Sequence, residues 1–305
     1  MSKRPAPEDE DASNSISAAE ECTEKRTLAE LPSKRFYRQR AHCNPWSDHT
    51  LDYPIKPEDM DWDQLYGKTT AQRDAGSLFD PVVRFVDVGC GYGGLLFKLA
   101  VHFPLIRSLG LEIRLKVCDF VQEKIRALRV NQPGEYENIA CIRTNAMKFL
   151  PNFFHKGQVQ KMFFLYPDPH FKRVKHKWRI ISPTLLDIYA YLLPPAGRLY
   201  AATDVADLAQ WILECLSRHP LFELHCCVHL KPSTDGKSLR ICHSCELDID
   251  DEKLAKNEET FEKFADEDPV MCLFRQGSTD ESLKATREGR GTTVLVFKRK
   301  ENPPW

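Results

Sequence analysis

The most constraining feature of this sequence is a glycine-rich loop between a strand-like run and a helix-like run. The segment "VDVGCGYGG" at 86–94 ends a β-branched stretch, and "GGLLFKLAVHF" at 93–103 has the apolar spacing of an amphipathic helix. A glycine turn after a strand and before a helix is typical of a loop that holds a nucleotide-like ligand. The loop therefore predicts the first strand–helix unit of an α/β domain.

The same alternation of strands and helices continues along the chain. Strand-like runs lie at 82–89, 106–113, 137–145, 159–166 and 197–204, and helical patterns lie at 93–103, 114–130, 183–193 and 205–217. The helix at 114–130 is predicted to bury a stripe formed by Leu115, Cys118, Val121, Ile125 and Leu128. This alternation predicts a mostly parallel sheet with helices on both faces. A last strand is predicted at 292–300, at an edge of the sheet.

Charge divides the chain into unequal parts. Residues 1–30 carry four Lys or Arg against eight Asp or Glu, and 246–268 carry three against eleven, so the remainder is basic although the net charge is −1. We predict a disordered acidic tail at 1–33 and a single domain at 34–305 with an acidic insertion at about 230–268. A basic body favours polyanionic partners such as nucleic acid.

Composition disfavours membrane and secreted proteins. No run approaches the ~18 consecutive apolar residues of a membrane helix, and the start, "MSKRPAPEDEDA", lacks the apolar core of a secretory signal. We therefore expect no membrane association and a place in the nucleus or the cytosol. The eleven cysteines are then expected to be reduced thiols rather than a disulfide framework.

Acidic residues around the glycine loop indicate which ligand it holds. The loop has the form D-x-G-x-G-x-G, built from Asp87, Gly89, Gly91 and Gly93. The carboxylate of Asp87 would repel the pyrophosphate of a dinucleotide. S-adenosylmethionine has no phosphate, and carboxylates attract its ammonium and sulfonium groups, so it suits this loop better than NAD. The alternative is a glycine turn with only a structural role.

Two further strand ends carry candidate cofactor contacts. Glu112 ends the second predicted strand, where a carboxylate can accept hydrogen bonds from ribose hydroxyls. Asn145 and Ala146 end the third, where the adenine would lie. Taken alone, Asn145 is equally well explained as a helix cap.

A Pro-Asp-Pro turn follows the fourth predicted strand, in "MFFLYPDPHF". Ligands of a doubly wound sheet bind beyond the carboxyl ends of its strands, so Asp168 is predicted to lie beside the reactive end of the cofactor. Pro167 and Pro169 restrict the backbone around it. A structural turn with a solvated acid is the alternative interpretation.

Two basic runs are predicted to bind RNA. The first directly follows the turn and contains Lys172, Arg173, Lys175, Lys177 and Arg179, with Phe171 and Trp178 interleaved to stack on a base. The second lies near the N-terminus and contains Lys34, Arg35, Arg38 and Arg40. For both runs the alternative is a solvated charged face or tail.

The motifs together resemble a known enzyme family. "RFYRQRAH", "VDVGCGYGGLL", "GLEIRLKV", "RTNAMKFLPNFF", "MFFLYPDPHFKRVKHKWRIISP" and "TDVADL" are similar to the catalytic subunit of eukaryotic tRNA (guanine-N7-)-methyltransferases, over about residues 34–220. The resemblance implies a Rossmann-like class I S-adenosylmethionine-dependent methyltransferase fold. It also implies methyl transfer to N7 of a tRNA guanosine in the variable loop, a WD40 β-propeller partner, and a nuclear location.

The same resemblance implies roles for particular residues. Asp168 would be the active-site acid, and the S-adenosylmethionine contacts would be Gly89, Glu112, Arg114, Asn145, Ala146 and Leu165, to which the loop residues Asp87 and Gly91 are added. In "STDESLKATREGRG", Thr279 and Glu281 keep the spacing of a family stretch that contributes to the same site. The residues after Glu281 depart from the family's glycine-lysine run.

Other functions stay open on the sequence. The chain could be an S-adenosylmethionine-dependent transferase acting on another RNA, on protein or on a small molecule, or a non-catalytic RNA-binding module with the same fold. "HCCVHL" at 225–230 and "CHSC" at 242–245 have spacing that suits zinc. Because "HCCVHL" is equally well explained as a core strand, we expect no metal.

Overall fold

The computed structural model describes residues 28–40, 43–47, 49–232, 239–242, 261–277 and 279–303. Its strands are β1 (Val83–Val88), β2 (Arg107–Glu112), β3 (Ile139–Arg143), β4 (Lys161–Leu165), β5 (Arg198–Thr203), β6 (Phe222–Pro232), β7 (Leu239–Cys242) and β8 (Thr292–Arg299). Its α-helices are α1 (Thr70–Ala75), α2 (Gly94–His102), α3 (Leu115–Asn131), α4 (Ala146–Phe153), α5 (Pro183–Leu192), α6 (Ala206–Arg218), α7 (261–267), α8 (Val270–Arg275) and α9 (Asp280–Arg287).

The described strands form one sheet in the order β3-β2-β1-β4-β5-β8-β6-β7. Strands β1 to β5 are parallel, and β8, β6 and β7 continue the sheet in antiparallel pairs. Successive residues of β5 enter different apolar clusters: Leu199 and Ala201 pack with α5 and α6, while Tyr200 and Ala202 pack with α2 and α8. Because side chains alternate across a strand, both faces of the sheet are covered. The predicted mostly parallel α/β fold is confirmed.

The prediction for the last strand was wrong in one respect. Strand β8 lies inside the sheet, between β5 and β6, and not at an edge. Its burial agrees with this position, since Val294, Leu295, Val296 and Phe297 are at most 1% exposed. The physical reason is that β6, which includes "HCCVHL", pairs along the other side of β8.

Helix α3 follows its predicted stripe except at its first residue. Cys118, Val121, Ile125 and Leu128 are buried, but Leu115 is 46% exposed. The stripe begins one turn later because Leu115 opens the helix, before α3 has reached the sheet.

Parts of the predicted tail and insertion belong to the domain. In the tail, the backbone of Ala29 exchanges two hydrogen bonds with the amide of Asn131 on α3, and residues 1–27 lie outside the described residues. In the insertion, 230–232 continue β6, 239–242 form β7, and 261–267 form α7, whose Phe261 is 1% exposed. Residues 233–238 and 243–260 lie outside the described part.

Candidate functional site

A cleft lies at the carboxyl edge of the parallel strands, where a ligand of this fold is expected. The loops after β1, β2, β3 and β4 all contribute to its wall, because parallel neighbours end at the same edge. Its lining includes Gly89, Glu112, Arg114, Asn145, Ala146, Leu165, Asp168, His170 and Trp178. An adjoining part is lined by Asp87, Gly91, Thr279 and Glu281 together with Asp168. All the residues predicted for the cofactor and for the acid therefore line one region.

The glycine loop presents bare backbone to this cleft. Gly89 and Gly91 have φ of 75° and 55°, in the left-handed region that glycine adopts without strain. A Cβ atom built on Gly89 would meet nothing within 4 Å, and on Gly91 it would meet only Arg114, at 3.8 Å. A side chain at either position would thus fill open space in the cleft. The loop is tied to β2, since the amides of Gly89 and Cys90 donate to the Leu111 carbonyl at 2.8 and 3.1 Å.

Glu112 is a buried carboxylate held in a fixed orientation. It is 3% exposed and accepts hydrogen bonds from the Gly91 amide at 3.1 Å and from the Arg114 amide at 2.9 Å. The Arg114 guanidinium adds two donors, Nε at 3.1 Å and Nη2 at 2.8 Å. This carboxylate therefore connects the glycine loop of β1 to the end of β2.

Asp87 lies in an acidic environment next to the glycine loop. Its side chain is 3% exposed. Burial raises the pKa of Asp87 to about 8, and the negative charges of Glu112 and Glu281 add to the shift. Three carboxylates gathered around one loop attract a cation and repel a phosphate. The electrostatics of the site thus agree with the ligand class predicted from the sequence.

Asn145 caps a helix and also fixes the N-terminal segment. Its Oδ1 accepts from the Met147 amide at the start of α4, at 3.1 Å, which is the capping role considered above. Its Nδ2 donates to the Pro45 carbonyl at 2.6 Å. Cys43 and Pro45 thereby line the cleft, a contribution that the sequence analysis missed. No local signal could have revealed it, because the contact joins segments far apart in the chain.

The Pro-Asp-Pro turn is anchored at both ends. At its entrance, the Tyr166 amide donates to the Ala202 carbonyl at 2.7 Å, and the Tyr166 hydroxyl lies 2.9 Å from Thr292 Oγ1. Tyr166 and His170 both have positive φ, 50° and 44°, a conformation that non-glycine residues rarely adopt. The side chain of Asp168, 26% exposed, lies 3.8 Å from His170 Nδ1. The turn thus directs a carboxylate into the cleft on a constrained backbone.

The basic run after the turn is mostly exposed. Residues Arg173–Trp178 form a 3₁₀ helix, and four of the predicted RNA-binding cations are exposed on or beside it: Lys172, Arg173, Lys175 and Lys177. Phe171 and Val174 are 74% and 77% exposed between these cations. Lys175 Nζ lies 5.1 Å from the ring centroid of Trp178, which itself lines the cleft. Arg179 is different, because it is only 5% exposed.

The N-terminal basic run is arranged differently. Lys34 forms an ion pair with Asp280 on α9, and its Nζ lies 5.2 Å from the ring centroid of Tyr92 in the glycine loop. Arg35 lies over the Phe36 ring at 4.6 Å, and Arg38 is exposed. Lys34 thus has a structural partner beside the cofactor loop, whereas the other two present their charge to solvent.

The possible zinc motif is spread along one strand. His225, Cys226, Cys227 and His229 lie on β6, and Cys242 on β7 pairs with His229 in the sheet, while 243–245 lie outside the described residues. Across the part of the chain that is described, no group of three or more His, Cys, Asp or Glu is placed to hold a metal ion. Among the same residues, no helix is both long and apolar enough to cross a membrane.

The strand order, the open glycine loop and its ring of carboxylates define a Rossmann-like class I S-adenosylmethionine-dependent methyltransferase. A family model described as "Putative methyltransferase" matches residues 81–243. The tRNA (guanine-N(7)-)-methyltransferase B of Xenopus tropicalis is 47% identical over 274 residues, which cover 90% of this chain and 98% of the relative. The chain therefore belongs to the tRNA (guanine-N(7)-)-methyltransferase family.

Two further relatives have the same description. The tRNA (guanine-N(7)-)-methyltransferase of Homo sapiens is 55% identical over 283 residues, 89% of this chain and 90% of the relative. That of Brugia malayi is 59% identical over 196 residues, 64% of this chain and 73% of the relative. The first match extends well beyond the motifs quoted above, so the similarity is a property of the whole domain.

Proposed function

We propose that this chain transfers the methyl group of S-adenosylmethionine to N7 of a guanosine in the variable loop of tRNA. One observation carries the proposal: the acidic cofactor loop and the Asp168 carboxylate line the same cleft, and exposed cations begin just beyond Asp168. The membership in the family supports the same reaction.

The cleft suits S-adenosylmethionine in shape and in charge. The space above Gly89 and Gly91 leaves room for a ligand against the backbone, and the carboxylates around Asp87 favour its cationic amino-acid end. Glu112 would hold the ribose hydroxyls, and Asn145 and Ala146 would lie along the adenine. When bound, S-adenosylmethionine supplies a methyl group already activated by the sulfonium. The chain therefore has to align the acceptor rather than to activate the donor.

Asp168 is proposed to orient the guanine. The N7 atom of guanine is an unprotonated lone pair at neutral pH, so no general base is needed to expose it. A carboxylate can accept hydrogen bonds from N1–H and the 2-amino group, and its charge offsets the positive charge that develops on the base. Adenine presents an acceptor at N1 on that edge and would be refused.

The exposed cations are proposed to hold the RNA backbone. Lys172, Arg173, Lys175 and Lys177 would contact phosphates, while Phe171 and Trp178 offer ring faces to a base drawn out of its stack. Arg35 and Arg38 form a second candidate contact. Lys34 is already paired with Asp280, so binding RNA through it would require exchange of that ion pair.

We also propose a protein partner and a cellular location, on the resemblance of the motifs alone. The catalytic subunits that this chain resembles pair with a WD40-type β-propeller, and we expect such a subunit to raise activity and tRNA binding. A nuclear location, with some protein in the cytoplasm, is proposed on the same ground. Comparing the activity of the chain alone with that of co-expressed subunits, over a range of enzyme concentrations, tests the partner. Equal activity in both preparations would contradict it.

The reaction itself has a chemical signature. Methylation at N7 puts a fixed positive charge on the purine and makes its imidazole ring sensitive to reduction. Borohydride followed by aniline should therefore cut treated tRNA at the modified guanosine, and only when enzyme and S-adenosylmethionine were both present. The length of the fragments gives the position of the nucleotide. Methyl label on a ribose oxygen, on adenine or on protein would instead indicate one of the alternative transferases.

A further inference from the structure

Arg179 is a buried cation in an otherwise exposed basic run. Its relative exposure is 5%, whereas Lys172, Arg173, Lys175 and Lys177 are all exposed. Placing an arginine in the interior is costly unless its donors and its ring-like face find partners there. The contacts of Arg179 therefore indicate what its charge and shape are used for.

The guanidinium of Arg179 holds the Pro-Asp-Pro turn to helix α6. Its Nε donates to the Pro169 carbonyl at 2.8 Å, and its Cζ lies 4.8 Å from the ring centroid of Trp211 on α6. Trp211 is itself fixed, because its Nε1 donates to the Ile181 carbonyl at 2.8 Å. The carbonyl immediately after Asp168 is thus attached to the body of the domain through one side chain.

The turn has reason to need this attachment. Tyr166 and His170, which flank it, both have positive φ, and such residues persist only when surrounding contacts hold them. Pro167 and Pro169 have no N–H groups, so the turn can form few backbone hydrogen bonds of its own. The bonds of Tyr166 to Ala202 and Thr292 fix the entrance of the turn. The bond from Arg179 fixes its exit.

We propose that Arg179 is a positioning residue for methyl transfer, which sets the direction of the Asp168 carboxylate by holding the Pro169 carbonyl. It does so without touching RNA or cofactor, unlike the cations around it. The proposal rests on the role of Asp168 proposed above. A shift of about 1 Å in a reacting group can cost about 100-fold in rate, so turnover should depend on Arg179 more than stability does.

Arg107 provides a matched control. It is 3% exposed, its Nη1 donates to the Pro81 carbonyl at 2.7 Å, and its Cζ lies 4.9 Å from the ring centroid of Tyr66. It also has a long contact, 3.5 Å, with Asp63. Because Arg107 begins β2, it lies at the amino edge of the sheet, away from the cleft. Removing either guanidinium takes away a proline carbonyl bond and an aromatic contact, but only one removal concerns the turn.

The test compares Arg179→Met with Arg107→Met in the full chain, with its partner subunit present if activity requires one. We expect similar losses of Tm, a Kd for S-adenosylmethionine within about twofold of wild type in both, and a kcat reduced about 10- to 100-fold only in Arg179→Met. Arg179→Lys, which can still reach a carbonyl, should recover part of the kcat. If Arg179→Met does not fold, the comparison of Arg179→Lys with Arg107→Lys takes its place.

A second readout separates positioning from general destabilisation. In an Asp168→Asn background, Arg179→Met should cost little further turnover, because residues that act as a unit are non-additive. Equal kcat values for the two Met variants, a loss confined to the KM for tRNA, or full additivity with Asp168→Asn would overturn the proposal. If wild-type enzyme yields no borohydride- and aniline-sensitive guanosine, the proposed function itself fails, which is a separate result.

Discussion

Cofactor affinity should rise steeply between pH 6 and pH 8, and the substitution Asp87→Asn should remove that rise. The pKa of Asp87 is raised to about 8 by burial, and further by the charges of Glu112 and Glu281. Below that pH the carboxyl is mostly neutral and offers little attraction to the cationic end of S-adenosylmethionine. Binding a cation next to Asp87 favours the ionised form, so binding should release a proton.

The magnitude follows from the pKa. With a value of about 8, the ionised fraction of Asp87 is about 1% at pH 6 and about 50% at pH 8. If the bound state requires the carboxylate, affinity should rise about 50-fold over this range and level off above about pH 9. The Asn variant should bind more weakly than wild type at pH 8.5 and resemble it at pH 6.

Isothermal titration calorimetry in buffers of different ionisation enthalpy measures both the affinity and the proton release. The ammonium group of the ligand titrates as well, but it does so equally with both proteins, so the difference between their profiles belongs to Asp87. Parallel pH profiles for wild type and Asp87→Asn, or no proton release near pH 7, would refute the reasoning.

The same shift predicts how the ligand-free protein responds to pH. Because the folded-state pKa of Asp87 lies above the unfolded value of 3.8, the native state binds more protons between about pH 4 and pH 8. The contribution of Asp87 to stability is therefore greatest at low pH and declines as pH rises to about 8. The Tm of wild type should fall relative to that of Asp87→Asn over this interval.

Further predictions concern the acid, the ribose contact and the cations. Asp168→Asn should leave the Kd for S-adenosylmethionine nearly unchanged and lower kcat about 10²- to 10³-fold, and a variant that keeps more than half the turnover would exclude Asp168 from the site. Glu112→Ala should do the reverse and chiefly weaken cofactor binding, measured by calorimetry. Lys175→Gln should weaken tRNA binding more than Lys177→Gln, because residues three apart share a face of a 3₁₀ helix and Lys175 lies over Trp178 at the cleft. Removing one cation that binds a phosphate should reduce the log–log salt slope of tRNA binding by about 0.7 to 0.9, and an unchanged slope would place the following cations away from RNA: Lys172, Arg173, Lys175 and Lys177.

Much of the fold and of the site could be predicted from sequence, because the relevant signals are local. The period of apolar residues distinguishes strands from helices, and the glycine loop stands directly between β1 and α2. Parallel strands end at one edge, so residues that follow different strands, such as Glu112, Asn145 and Asp168, could be expected to meet. The structure places them along one cleft.

What depended on contacts between distant segments could not be predicted in this way. The pattern of β8 is that of any apolar strand, and only its pairing with β6 places it inside the sheet. Lys34 carries the same charge as its neighbours in sequence, but it pairs with Asp280, 246 positions away. The segment with Cys43 and Pro45 has no strand or helix pattern and nevertheless closes one side of the cleft.

Arg179 illustrates the difference most directly. By sequence alone it is the fifth cation of a basic run, with nothing to separate it from Lys177. Tertiary packing turns it inward against Trp211 and the Pro169 carbonyl, while its neighbours remain in solvent. The amino-acid sequence by itself determined which elements form and which edge of the sheet holds the site, since periodicity and strand direction are local properties. Only the tertiary structure decided which cations face RNA and which one supports the turn, since burial depends on what the rest of the chain packs against each position.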